Sequence, residues 1–149
     1  MSHTWIEDGG VTTPLGFEAG GAYAGIKKFG DAKDRKDVGL LVARQSCVAT
    51  GLFTTNRVCG APVTVSREHL AGRRARAIVV NSGCSNVAMG ARGVDDARAM
   101  ARAAAEHLGI EAHEVLVAST GVIARPLPLE RVRQGIQAIT PTREGGLAF

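Results

Sequence analysis

Apolar positions along the chain follow two rhythms, and each predicts a different element. Val38-Gly39-Leu40-Leu41-Val42-Ala43, Ala77-Ile78-Val79-Val80 and Val115-Leu116-Val117-Ala118 are short continuous apolar runs, the pattern of strands covered on both faces. Ala97, Met100, Ala101, Ala104 and Leu108 recur at helical spacing. With Asp95 and Asp96 near its start and Gly109 placed to end it, this stretch predicts a helix from Val94 onward. Leu129, Val132, Ile136 and Ile139 predict a second helix behind Pro126 and Pro128. Ala49 to Asn56 and Ala61 to Ser66 read as further strands, the latter alternating Val63 and Val65 with Thr64, and Ser66 reads as the cap of a short helix over Arg67 to Leu70. Glycine-rich Val11 to Gly25 predicts strand and turn, and charged Lys27 to Asp37 a surface loop. Strand, helix, strand in this order is an α/β signature, so the expected fold is a mixed β-sheet flanked by helices, in one domain over residues 1–149.

Composition narrows the classes. Hydrophobic residues are 45% and charged residues 21% of 149, a mixture that excludes disordered and collagen-like chains. Aromatics are 4%, so the core must be built from Ala, Val, Leu and Ile, with 19 glycines supplying turns and close backbone approaches. The net charge of +4 suits anionic metabolites, nucleic acid or neither. Cys47, Cys59 and Cys84 lack Cys-x-x-Cys spacing and the four histidines lack metal-ligand spacing. We therefore expect no disulfide framework, no metal and no tightly bound cofactor, in a cytoplasmic setting without membrane insertion.

The sharpest local feature is Ser119-Thr120-Gly121-Val122-Ile123, a hydroxyl pair and a glycine directly after an apolar strand. Such a turn can aim an amide N–H and a threonine hydroxyl at one point, as stabilisation of a developing oxyanion requires. A plain strand-to-loop turn is the competing reading. Asn81-Ser82-Gly83-Cys84 holds the analogous place after the preceding strand, again as a turn or a second functional loop. Cys84 has no base beside it in the sequence, since His69, His107 and His113 are scattered, and it reads as an inert thiol. Arg73, Arg74, Arg76, Arg92, Arg98 and Arg102 could face phosphate, but stacking aromatics are nearly absent and Arg102 can pair with Glu106, so a solvated face is expected and no nucleic-acid partner. Gly25-Ile26-Lys27-Lys28 lacks the spacing of a phosphate loop.

Taken in order, Gly25-Ile26-Lys27-Lys28, Arg35-Lys36-Asp37, Phe53-Thr54-Thr55-Asn56-Arg57-Val58, Ala61-Pro62-Val63 and Ala118-Ser119-Thr120-Gly121-Val122-Ile123 resemble the bifunctional ornithine acetyltransferase (glutamate N-acetyltransferase) family of arginine biosynthesis, from about Gly10 to the last residue. The resemblance implies an N-terminal-nucleophile-hydrolase-like (DmpA-ArgJ-like) architecture. It implies a precursor that cuts itself before a threonine into α and β chains, which stay together as an α2β2 heterotetramer. The freed threonine, activated by its own amine, passes acetyl from N-acetylornithine to glutamate, some members also accepting acetyl-CoA as donor. Thr120 and Gly121 would then form the oxyanion hole through hydroxyl and backbone N–H.

Departures from the family pattern are Cys84 and Ser85 in a loop that usually reads Asn-Ser-Gly-Asn-Ala-Asn, Met89 where threonine is common, and Ala124 where glycine is usual. The sequence stops before the family's Met-Thr-Thr-Asp segment, its Lys-Gly-x-Gly-Met motif and the cleavage threonine. It is expected to be most of an α chain, inactive alone, with an apolar face awaiting the remainder.

Overall fold

A computed structural model describes residues 3–27, 35–147 and 149. Its elements are β1 (Phe17–Ala22), β2 (Val38–Val48), α1 (Ala61–His69), β3 (Arg74–Cys84), α2 (Gly90–Leu108), β4 (Val115–Val122) and α3 (Leu129–Gln137), with short 3-10 turns between some of them. Among the described residues the strands form one mixed sheet in the order β1-β2-β3-β4. The first two pairings are antiparallel, whereas β3 and β4, joined across α2, run parallel. A register shift between Val42 and Cys47 marks a bulge in β2.

The three apolar runs became the cores of β2, β3 and β4. Val38, Leu40, Ala77, Val79, Val115 and Val117 point to one face and are buried there against Ala97, Met100, Ala101 and Ala104 of α2 and Val132 and Ile136 of α3. Small residues let helix and sheet approach closely, as an aromatic-poor composition requires. The alternate residues Leu41, Ile78, Val80, Leu116 and Ala118 are only half-buried on the opposite face, where no helix packs among the described residues. Part of that face is a groove of about 240 Å³ that includes Phe17, Leu41, Ile78 and Leu116. The ring of Phe149 lies over Gly39 and Val80; Ala148 is outside the described residues.

Several expectations are corrected. Ala61 to Ser66 is helix, part of α1, because Pro62 sits in the first helical turn, where its missing N–H costs nothing. Ser66 lies inside that helix and is no cap; its hydroxyl donates to Val117 O and accepts from Val117 N, both at 2.9 Å. Ala49 to Asn56 carries no strand. The main helix starts at Gly90, so Asp95 and Asp96 stand in its second turn, and Gly109 ends it with φ 64°. Arg98 binds Glu68 of α1 at 3.0 Å, and no Arg102–Glu106 pair forms among the described residues. Of the expected surface loop, Lys28 to Asp34 lies outside the described residues, while Asp37 is buried, at 2% exposure.

Candidate active site

Parallel strands end at the same edge of a sheet, and in open α/β sheets that carboxyl edge is where ligands bind. Here β3 and β4 end together. Asn81 pairs with Ser119, Ser82 with Thr120, Gly83 with Gly121 and Cys84 with Val122. The two motifs read as separate turns are thus the last residues of neighbouring strands, brought side by side. Small residues are what permit this. Both glycines have positive φ, 106° at Gly83 and 125° at Gly121. A Cβ on Gly121 would lie 2.6 Å from Cys84 N and 2.7 Å from Gly83 Cα, and closer still to Gly83 C, so no other residue fits.

β4 is an edge strand, and half of its free edge is covered. Ser66 of α1 occupies the N–H and C=O of Val117, and His69 Nδ1 lies 2.7 Å from Val115 O. Backbone groups of alternate residues face the same way, so the amides of Ser119 and Gly121 also face outward, beyond the end of α1. The Thr120 carbonyl faces β3 instead, which fixes the intervening peptide and aims the Gly121 N–H at the open edge. Side chains alternate likewise. Ser119 sits on the helix side and Thr120 on the open side with Leu116 and Ala118; Thr120 and Gly121 are both exposed.

Gly121 borders an open cleft of about 500 Å³, together with Ile26, Lys27, Ser82, Gly83, Val122 and Arg125. Lys27 and Arg125 give its wall positive charge, with no acidic residue among those six. The chain beyond the strands is tied down: Ser85 N and Oγ both donate to Val122 O at 3.0 Å, Ala124 N donates to Val87 O at 3.1 Å, and the Cys84 thiol donates to Arg125 O at 3.0 Å. Cys84 is fully buried by these contacts. Asn81 gives its amide to Cys84 O at 2.9 Å, yet its Oδ1 and the neighbouring Ser119 Oγ are buried without a hydrogen-bond partner among the described residues.

The departures have structural counterparts. Ala124 holds φ 55°, the left-handed region that glycine enters freely, and Met89 precedes α2 without a side-chain cap. The pairing of Gly83 with Gly121 had little signal in the sequence, because it is a matter of register, which short motifs do not carry. Of the candidate arginines, Arg74 and Arg76 bind backbone oxygens of Ser46 and Arg44, and Arg98 pairs with Glu68. Among the described residues no cluster of metal-ligating side chains forms, and no helix is long and apolar enough to cross a membrane.

A mixed sheet with helices on one face defines an α/β protein, and its match to solved ArgJ structures places it in the N-terminal-nucleophile-hydrolase-like class. The match to a crystal structure of the arginine biosynthesis bifunctional protein ArgJ from Bacillus halodurans has a TM-score of 0.90 at 38% identity, covering 97% of this chain and 74% of that one. The chain belongs to the ArgJ family, whose profile matches residues 18–148. A second structure, ornithine acetyltransferase complexed with ornithine from Mycobacterium tuberculosis, matches with a TM-score of 0.87 and 36% identity over 93% of this chain and 75% of that one. Among curated relatives, the arginine biosynthesis bifunctional protein ArgJ of Dehalococcoides mccartyi is 43% identical over 97% of this chain and 35% of its own length. That of Symbiobacterium thermophilum is 49% identical over 95% of this chain and 35% of its own. The chain thus spans about a third of the length of the curated relatives it matches.

Proposed function

We propose that this chain is the α-chain part of a glutamate N-acetyltransferase, in which Thr120 and Gly121 stabilise the oxyanion formed as acetyl moves from N-acetylornithine to glutamate. The supporting observation is the Gly121 N–H, held on the unpaired carboxyl edge of β4 beside a cleft with cationic walls, one residue after an exposed Thr120 hydroxyl. An amide held by the close Gly83–Gly121 backbone approach needs no reorganisation when charge appears, and such preorganisation is what lowers an acyl-transfer barrier.

The nucleophile is a threonine of the β chain cut from the same precursor, in an α2β2 assembly. Its hydroxyl attacks the acetyl carbonyl while its own terminal amine takes the proton. The tetrahedral oxyanion rests on Thr120 Oγ–H and Gly121 N–H. Collapse expels ornithine, whose amine takes a proton, and leaves acetyl-threonine; the glutamate amine attacks that ester in the second half-reaction. Acetyl-CoA could load the same threonine, releasing CoA thiol. No metal or bound cofactor is required, and a cytoplasmic location follows from the biosynthetic role.

The test is acetyl transfer by the complete assembled protein. Supplied with N-acetylornithine and glutamate, it is expected to release ornithine and N-acetylglutamate in equal amounts, with exchange between ornithine and N-acetylornithine when glutamate is omitted. Release of acetate in place of N-acetylglutamate would show an amidase with water as acceptor.

A further inference from the structure

We propose that Asp37, a residue with no assigned role, is a positioning residue that sets the spacing of the Thr120–Gly121 pair through two backbone routes; the proposal rests on the acetyl-transfer reading above. Asp37 precedes the apolar run of β2 and is buried, so a free carboxylate there would be expensive unless its oxygens were engaged. They are. Oδ1 accepts the Ala24 N–H at 2.6 Å, and Oδ2 accepts the Ile26 N–H at 2.7 Å and the Lys27 N–H at 3.1 Å. Three charge-assisted bonds fold residues 24–27 into a turn around one carboxylate, with Gly25 at φ 72° making the curvature.

That turn is the wall behind Gly83. A Cβ on Gly83 would lie 2.9 Å from Lys27 Cγ and 3.1 Å from Ile26 Cγ2, and Ile26 is 1% exposed. The other side of Gly83 touches Gly121. Asp37 therefore presses the 24–27 turn onto Gly83, and Gly83 onto the residue whose N–H meets the oxyanion. The second route is direct: Asp37 O accepts the Ser82 N–H at 2.8 Å, Asp37 N donates to Ala22 O at 3.0 Å, and Ser82 is in register with Thr120. The second route is backbone throughout, whereas the first passes through the Ile26 and Lys27 side chains. Both carboxylate oxygens are engaged by backbone amides and the residue is buried, so the role assigned to Asp37 is to hold the turn.

Replacing one acceptor oxygen by an NH₂ group sets a donor against an amide donor and releases part of the turn, displacing the oxyanion donors by a fraction of an ångström. Misplacement by 1 Å can cost 10²-fold in rate. In the complete assembled enzyme, Asp37→Asn is expected to slow single-turnover acetylation of the nucleophile by about 10- to 100-fold. The amount of acetyl-enzyme finally formed per protomer should be unchanged, and KM for N-acetylornithine should stay within about twofold. Because one route ends at Thr120 and the other at Gly121, Asp37→Asn should slow a Thr120→Ala enzyme by a smaller factor than it slows the unmodified one, the remainder passing through Gly121. Gly25→Ala perturbs the same turn where a Cβ meets nothing closer than Arg131 Nη1 at 3.7 Å, and should show the same non-additivity should Asp37→Asn fail to fold.

Equal slowing with and without Thr120, a loss of acetyl-enzyme amount in step with rate, or an unchanged rate would each overturn the proposal. If the unmodified enzyme forms no acetyl-enzyme at all, the acetyl-transfer reading fails and this inference with it. If it does form and Asp37→Asn is silent, only this inference fails.

Discussion

Gly121→Ala is the perturbation whose size follows most directly from the backbone. Two costs combine. Alanine at φ 125° is strained, by about 1–3 kcal/mol for a residue held in a sparsely populated region. Its Cβ would also lie 2.6 Å from Cys84 N and 2.7 Å from Gly83 Cα, against an optimum carbon–carbon separation of roughly 3.5–4.0 Å. Those atoms are backbone, so relief requires β3 and β4 to separate by close to 1 Å at their ends. Overpacking of that kind costs about 1–3 kcal/mol more, giving a sum of roughly 2–6 kcal/mol. Gly109→Ala is the matched control, since Gly109 has φ 64° and its Cβ would meet nothing within 4 Å. It should cost about 1 kcal/mol from conformation alone. Followed by circular dichroism, thermal unfolding should drop by about 2–4 °C for Gly109→Ala and by roughly 4–24 °C, centred near 12 °C, for Gly121→Ala. Equal shifts would show that the Gly83–Gly121 contact is not tight, and the reasoning about a fixed N–H would fail with it.

Further expectations follow from the same geometry. Ser66→Ala strips both partners from Val117 on the free edge of β4, and should lower stability by about 1–3 kcal/mol while accelerating hydrogen exchange at the Val117 amide. Burial raises the Asp96 pKa above 3.8, with Asp95 adding to the effect and Arg92 opposing it. The folded state therefore binds the proton more tightly than the unfolded one, and Asp96 contributes destabilisation that sets in as pH rises from below 3.8 through the raised value. Asp96→Asn should accordingly raise the melting temperature at pH 7 and lose that advantage below pH 3.8; a larger gain in acid would reverse the sign of the argument. Ala124→Gly relieves the left-handed strain at φ 55° and should stabilise the protein by close to 1 kcal/mol, less the added entropy of its unfolded chain, read as a higher melting temperature.

The parts of the fold legible in the sequence were those with local causes. Ala97 to Leu108 announced a helix by spacing and Gly109 announced its end, because both signals lie within a few residues of what they control. The apolar runs around Leu40, Val79 and Val117 announced covered strands for the same reason. Val63-Thr64-Val65 misled, since β-branched residues at alternate positions mimic a strand, and only packing against β4 and Pro62 in the first turn decide for helix. Asn81-Ser82-Gly83 and Ser119-Thr120-Gly121 carried the usual marks of turns, yet their glycines serve close approach between paired strands, a long-range fact. Thr120 and Gly121 stood out in the sequence as a short motif after an apolar strand, and the structure places them at the end of β4. The Asp37 carboxylate and the amides it gathers did not stand out, because they meet across a turn that no periodicity describes.

The central claim is that the Thr120 hydroxyl and the Gly121 N–H share the negative charge of the acyl-transfer intermediate. Thr120→Ala in the complete assembled enzyme tests it most directly: turnover between N-acetylornithine and glutamate should fall by about 10²-fold or more with the melting temperature unchanged. Undiminished turnover in a folded Thr120→Ala enzyme would contradict the account.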